Sequence, residues 1–109
     1  MWNYPSDKQL DKIPAMYATE KIPLKDKIVH MHFFIGGSDW YATEYSKEDR
    51  LFFGYAILNN DEQNAEWGYF SLDELADIKL GFVEIDRDRC WTPCKASEVA
   101  KIVNSGGIS

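Results

Sequence analysis

FFIGGSDWYATEY, Phe33 to Tyr45, sets a Gly-Gly-Ser-Asp tetrapeptide between two aromatic-rich runs. Such a tetrapeptide either cradles a ligand or turns a hairpin. A glycine loop that holds phosphate leads into a helix N-terminus, whose free N–H groups and dipole bind the anion. Here Trp40 to Tyr45 follow instead, alternating in side-chain character and rich in the Trp, Tyr and Thr that favour strands. Gly36-Gly37-Ser38-Asp39 is therefore read as a hairpin turn, where glycine accepts positive φ.

The flanks repeat the period of two. Val29, Met31, Phe33 and Ile35 make one apolar face; Ile28, His30, His32 and Phe34 make a mixed face on which the histidines are expected to meet solvent. Beyond the turn, Tyr41, Thr43 and Tyr45 fall on one side. LFFGYAIL (Leu51–Leu58) is apolar on both faces and reads as a central strand, with Gly54 marking a bulge or a close approach. After the polar loop NNDEQN, the segment AEWGYF gives a fourth strand with Gly68 among its aromatics.

Short helices frame these strands. Ser6-Asp7-Lys8-Gln9 has capping-box form and opens a helix over Asp7 to Lys12; Pro14 and Pro23 then break IPAMYATEKIP into pieces. Ser71-Leu72-Asp73-Glu74 is a second box, heading an amphipathic turn through Leu75, Ala76 and Ile78. Phe82 to Asp86 reads as a last strand, and Ser97 as the cap of a helix through Val103 with Val99, Ala100, Ile102 and Val103 inward. The expected fold is a single α+β domain over residues 1–103, an antiparallel meander of four to five strands with short helices packed on one side. Residues 104–109 are expected to form a flexible tail.

Composition narrows the function classes. With 109 residues, 45% hydrophobic and 15% aromatic, the chain can bury one core and is not a disordered type. It has no apolar run near the roughly 18 residues that span a bilayer. MWNYPSDKQL offers neither a basic nor an apolar leader region, so a cytoplasmic protein is expected. Cys90 and Cys94 are too few for a disulfide framework. The net charge is −6, and residues 61–88 alone carry nine acids against Lys79 and Arg87. A segment of that sign repels phosphate backbones and suits a basic protein surface, although it also serves simply as a solvated face.

Signals for chemistry are weak. His30, His32, Cys90 and Cys94 are zinc-type ligands, but the Cys-x-x-Cys pair and helical His spacing are missing. Glu84, Asp86 and Asp88 share parity as hard-cation ligands would, yet Arg87 and Arg89 interleave and describe a salt-bridged strand end. No Gly-x-Ser-x-Gly elbow occurs, and Ser71 is accounted for as a cap. No catalytic residue, metal or cofactor is assigned. The aromatics Trp40, Tyr55, Trp67 and Tyr69, beside Gly54 and Gly68, are the candidates for a small pocket.

Several segments together resemble a known family: IPLKDKIVHMHFF, DWYATEY, LFFGYAIL, EWGYFSLDEL and EIDRDRCWTP. Their combination, over roughly residues 13–103, is similar to the bacterial domain-of-unknown-function family 2958. The resemblance implies no assigned activity. It implies a context of plasmids, phage and integrative elements, and His30, His32, Cys90 and Cys94 are not among its hallmarks.

Two functional expectations follow. The first is a small acidic, non-enzymatic interaction or regulatory protein of a mobile element, in its sharper form an inhibitor of a host nucleic-acid-handling or defence protein. Glu62, Glu66, Asp73, Glu74 and Asp77 would meet the partner's basic surface, with no direct binding of nucleic acid or membrane. The second is a small enzyme or ligand-binding domain using the aromatic pocket.

Overall fold

The computed structural model describes residues 3–108. Ile35 pairs with Ser38, so Gly36 and Gly37 alone make the turn. Gly36 takes φ +53°, which an L side chain resists. The hairpin expected at this tetrapeptide is therefore present, and no helix follows it. In chain order the elements are α1 (Asp7–Leu10), β1 (Ile28–Val29), β2 (Met31–Ile35), β3 (Ser38–Ser46), β4 (Leu51–Ile57), β5 (Glu66–Ser71), α2 (Leu72–Ala76), β6 (Lys79–Leu80), β7 (Val83–Glu84), β8 (Asp86–Arg87), β9 (Cys94–Lys95) and α3 (Ala100–Asn104). The main sheet has the order β5-β4-β3-β2-β8, every pair antiparallel. The protein is thus α+β, with a four-strand meander and a two-residue fifth strand at the β2 edge. No helix among the described residues is long and apolar enough to cross a membrane.

Both faces of this sheet are covered. Successive strand residues point to opposite faces. Trp40 packs with Leu10, Leu72 and Leu75 of α1 and α2, whereas its neighbour Tyr41 packs with Ala96, Val99 and Ile102 from the C-terminal turns. The expectation that the helices share one side is corrected: α1 and α2 cover one face and α3 the other. The physical reason is that β3 and β4 are apolar on both faces, so neither face can be left to water. Phe33, Phe52 and Tyr55 are at most 1% exposed. Burying each such ring contributes roughly 2–3 kcal/mol.

Two irregularities decide which side chain enters which layer. At His30 the strand breaks, and its N–H donates to the Ala42 carbonyl at 2.9 Å. Val29 therefore joins the α3 face while Met31, Phe33 and Ile35 join the other, although the sequence period put all four together. In β3 the register shifts between Ala42 and Glu44. Thr43 occupies the bulge and donates its hydroxyl to the Phe53 carbonyl at 2.9 Å. Beyond it the Tyr45 ring packs tilted against Phe52 on the α1 and α2 face, opposite to Tyr41, rather than beside it.

Most caps and some boundaries follow the sequence. The Ser6 and Gln9 box is closed from both sides, and Ser71 accepts from the Glu74 N–H at 3.2 Å. The Phe82–Asp86 strand is instead two pieces, β7 in a separate hairpin with β6 and β8 against β2, because Ile85 between them turns fully into the core. Ser97 does not cap α3; it lies in a single 3₁₀ turn, Ala96–Glu98, and Ala100 and Val103 of the expected inward set are exposed. In the segment read as a fraying tail, the Gly107 N–H donates to the Ile102 carbonyl at 2.9 Å, and the Gly107 carbonyl accepts from Trp67 Nε1 at 3.0 Å. Ser109, and Met1 and Trp2 at the other end, lie outside the described residues.

Gly54 and Gly68 pair across β4 and β5 yet differ in tolerance. A Cβ on Gly54 would lie 1.8 Å from the Tyr41 carbonyl oxygen, whereas one on Gly68 meets nothing within 4 Å. Gly54→Ala is expected to lower stability by about 3 kcal/mol, since backbone must move. Gly68→Ala is expected to raise it by about 0.5 kcal/mol. Urea midpoints of the two variants check this, and equal effects would refute the close approach.

Candidate functional site

The sequence reason for the site lies in the segment between Pro14 and Lys27. It is too interrupted by proline to form a helix, so its backbone groups need partners elsewhere. Pro14 supplies a carbonyl to the Tyr45 N–H at 2.9 Å, and Ala15 bridges to Tyr45 along the part of β3 that β2 does not reach. Glu44, turned by the bulge onto the same face as Phe53, supplies the rest. Its carboxylate accepts the Tyr17 and Thr19 N–H groups, each at 3.0 Å, and the Thr19 hydroxyl. Tyr17 is held at φ +69°, a conformation that costs a non-glycine residue about 1 kcal/mol or more.

Lys27 completes this arrangement. Its Nζ donates to the Thr19 carbonyl at 2.5 Å and the Thr19 hydroxyl at 2.8 Å, and lies 3.6 Å from Glu44. It also sits 5.8 Å from the centre of the Phe53 ring. Both charged residues are almost fully buried, at 5% and 3% exposure. Above them opens a pocket of about 430 Å³, lined by Tyr17, Glu20, Ile22, Pro23, Leu24, Phe53 and Tyr69 with the ion pair at its base. Its rim is unusually apolar for surface: Tyr17, Ile22, Leu24 and Tyr69 are 63%, 42%, 41% and 55% exposed. Tyr17 and Tyr69 share a side-chain hydrogen bond that pushes the Tyr69 phenol up.

The polar groups at the base of the pocket are committed to one another. Glu44 is a carboxylate whose lone pairs are occupied by N–H and O–H donors, and Lys27 spends its protons on Thr19 and Glu44. Neither is poised as base or nucleophile toward a molecule in the pocket. Apolar contact area is what the rim offers.

A second polar cluster lies on the same sheet face. His32 Nε2 meets Asp39 Oδ1 at 2.7 Å, and Lys101 Nζ from α3 donates to Asp39 Oδ2 at 2.9 Å. Asp88 lies 3.6 Å from His32 Nδ1, and the imidazole stacks on Tyr41 with centroids 4.6 Å apart. Burial pushes the Asp39 carboxyl up, but the His32 and Lys101 hydrogen bonds and charges outweigh it and hold it below the usual range. Burial, then Asp39 and Asp88, push the Tyr41 phenol up. His32 is thus an interior partner, not the solvent-facing strand histidine expected, because Trp91 and Tyr41 pack over that end of the sheet.

The residues singled out in the sequence are not all brought together. Trp40 faces α1 and α2, while Tyr55 and Trp67 pack edge-to-face at 5.3 Å on the opposite side beneath the C-terminal segment. Of the four pocket candidates, Tyr69 alone lines the pocket above Lys27 and Glu44. The acids also separate. Glu62 and Glu66 lie at one end of β5, and Asp73, Glu74 and Asp77 at the other, all exposed. At about 3.3 Å per residue the ends of β5 stand about 17 Å apart. That exceeds the screening length of about 8 Å at physiological salt, so the two groups act as separate charges. Asp73 is further paired with Arg50 at 2.9 Å. Cys90 is exposed and Cys94 sits in β9; among the described residues no three His, Cys, Asp or Glu side chains converge as metal ligands would.

Sequence reasoning missed Glu44, Lys27, Thr19 and Tyr17. One signal was present: Glu44 is the single charge within Trp40–Tyr45, on a strand whose neighbours are aromatic. Its partner loop could not be named without the bulge that turns it.

Fold and site together define a small α+β domain with an apolar-rimmed pocket over a satisfied ion pair. The chain belongs to the family described as Protein of unknown function (DUF2958), which matches residues 8–107. No curated protein and no solved structure matches it.

Burial alone would raise the Glu44 pKa, but the Thr19 hydroxyl, the Tyr17 and Thr19 N–H groups and Lys27 lower it on balance. A lowered carboxylate contributes stability above its unfolded pKa and loses it as pH falls through the folded one. Glu44→Gln is expected to cost roughly 3 kcal/mol at neutral pH, where it leaves Lys27 buried without a counter-charge. The gap to wild type should narrow as pH drops below the ordinary glutamate range. Denaturant midpoints across pH test this, and a pH-independent gap would contradict it.

Proposed function

We propose that the protein is a non-enzymatic interaction module that docks a protein partner on the face around the Lys27 and Glu44 pocket. The supporting observation is the cluster of half-exposed Tyr17, Ile22, Leu24 and Tyr69 side chains on one rim. Exposed apolar groups scattered singly are ordinary; gathered around one concavity they favour binding. The loop that carries three of them is fixed by buried hydrogen bonds, which lowers the ordering cost of association. The net charge of −6 directs the module toward a basic partner surface. A host nucleic-acid-handling or defence protein, opposed by a protein of a mobile element, has that chemistry and suits the context implied by the family resemblance.

The pocket volume of about 430 Å³ also falls in the range that small ligands occupy, which favours a ligand-binding domain as the second reading. Both readings place the contact at the same rim, and their probes differ.

Immobilised wild type and Leu24→Asp are compared for capture of host proteins at low and high salt. The expected outcome is a basic partner retained by wild type, released by salt and lost with Leu24→Asp. Equal capture by the two would remove the rim from the reading. Stabilisation of wild type but not Leu24→Asp by a metabolite in a thermal-shift screen, without protein capture, would transfer the site to a small ligand.

A further inference from the structure

β5 is an edge strand of the main sheet. Its hydrogen-bonding pattern can be phased from one contact. The Leu72 N–H donates to the Arg50 carbonyl at 3.0 Å, and the register runs unbroken from Leu51–Ser71 to Ala56–Glu66. In an antiparallel ladder, alternate residues exchange bonds with the neighbour and the others direct theirs away. Phe70, Gly68 and Glu66 therefore bond β4, and Trp67, Tyr69 and Ser71 direct N–H and C=O groups outward from the sheet. Side chains of Trp67 and Tyr69 stand on the face that holds the Lys27 and Glu44 pocket, and Tyr69 is part of its rim.

We propose that the outward edge of β5 is a strand-addition site for an extended basic peptide segment, which places an apolar side chain in the pocket beside Tyr69. The inference deepens the interaction reading and rests on it. The open row of backbone groups specifies an extended backbone. A residue paired opposite Tyr69 projects its side chain on Tyr69's own face, against the Tyr69 ring at the rim of the pocket. Charge sets the flanks. Asp61, Glu62 and Glu66 at one end, and Glu74 and Asp77 at the other, where Arg50 pairs with Asp73, leave both ends of the edge acidic. The same acids disfavour a second copy of this chain, whose β5 would bring like charges together.

A phage-displayed library of linear decapeptides is panned against the full chain, and amide hydrogen exchange is followed with the selected peptide. Enriched sequences are expected to carry alternating apolar residues flanked by Lys or Arg. Exchange at Trp67, Tyr69 and Ser71 should slow at least ten-fold, while Glu66, Gly68 and Phe70, already bonded to β4, should not change. Tyr69→Pro removes an outward N–H without touching the β4 ladder and should weaken the peptide at least ten-fold; Tyr69→Thr keeps that N–H and should lose less. Protection confined to the 17–27 loop would overturn strand addition and leave the interaction reading standing. Enrichment of acidic or uncharged sequences would overturn the basic partner, and no enrichment at all would overturn both.

Discussion

One buried carboxylate organises the half of the molecule that the helices do not. Glu44 is 3% exposed in the central strand of the sheet, where an uncompensated charge would cost several kcal/mol. It is tolerated because the bulge at Thr43 turns it out of the α1 and α2 core and toward backbone N–H groups that need an acceptor. The Pro14–Lys27 segment has no repetitive structure beyond one 3₁₀ turn, Leu24–Asp26, so it depends on Glu44 as much as Glu44 depends on it. Lys27 closes the arrangement from the far end of that segment.

The pocket is a consequence of this bonding. A proline-punctuated segment held at Tyr17 and Thr19 on one side and Lys27 on the other must arch between them. Ile22, Pro23 and Leu24 form the crown of that arch, over Phe53 and Tyr69 on the sheet. The apolar side chains on the arch stay partly in water because the buried polar groups, not a hydrophobic contact, fix the loop. That is how a domain of this size can keep an exposed apolar rim without losing stability: the rim is outside the accounting for the core.

The His32, Asp39 and Lys101 cluster plays a corresponding part at the other end of the sheet. It joins β2, β3 and α3 by short polar contacts and fixes where the C-terminal turn lies. Trp67 and Tyr55 hold the following residues through Gly107 and Ser105. The α3 face is thus closed by polar contacts at its rim as well as by Ala96, Val99 and Ile102 within.

Local sequence determined what local physics governs. Gly36-Gly37 needs positive φ at Gly36 and turns a hairpin; Ser6 and Ser71 cap because their oxygens reach the orphan N–H groups of the first turn. The apolar run in β4 required cover, and Gly54 marked a bulge or a close approach, of which the structure shows the second. Tertiary structure alone decided the rest. A bulge at Thr43 and a break at His30 each reverse the side-chain parity on which a period-two reading depends, so Tyr45 and Val29 enter layers opposite to those the pattern gives. The site rests on contacts between residues 17–27 and Glu44, whose worth depends on burial rather than on sequence spacing. A lone carboxylate among aromatics marks Glu44 in the sequence, but nothing in the spacing names the loop that it meets.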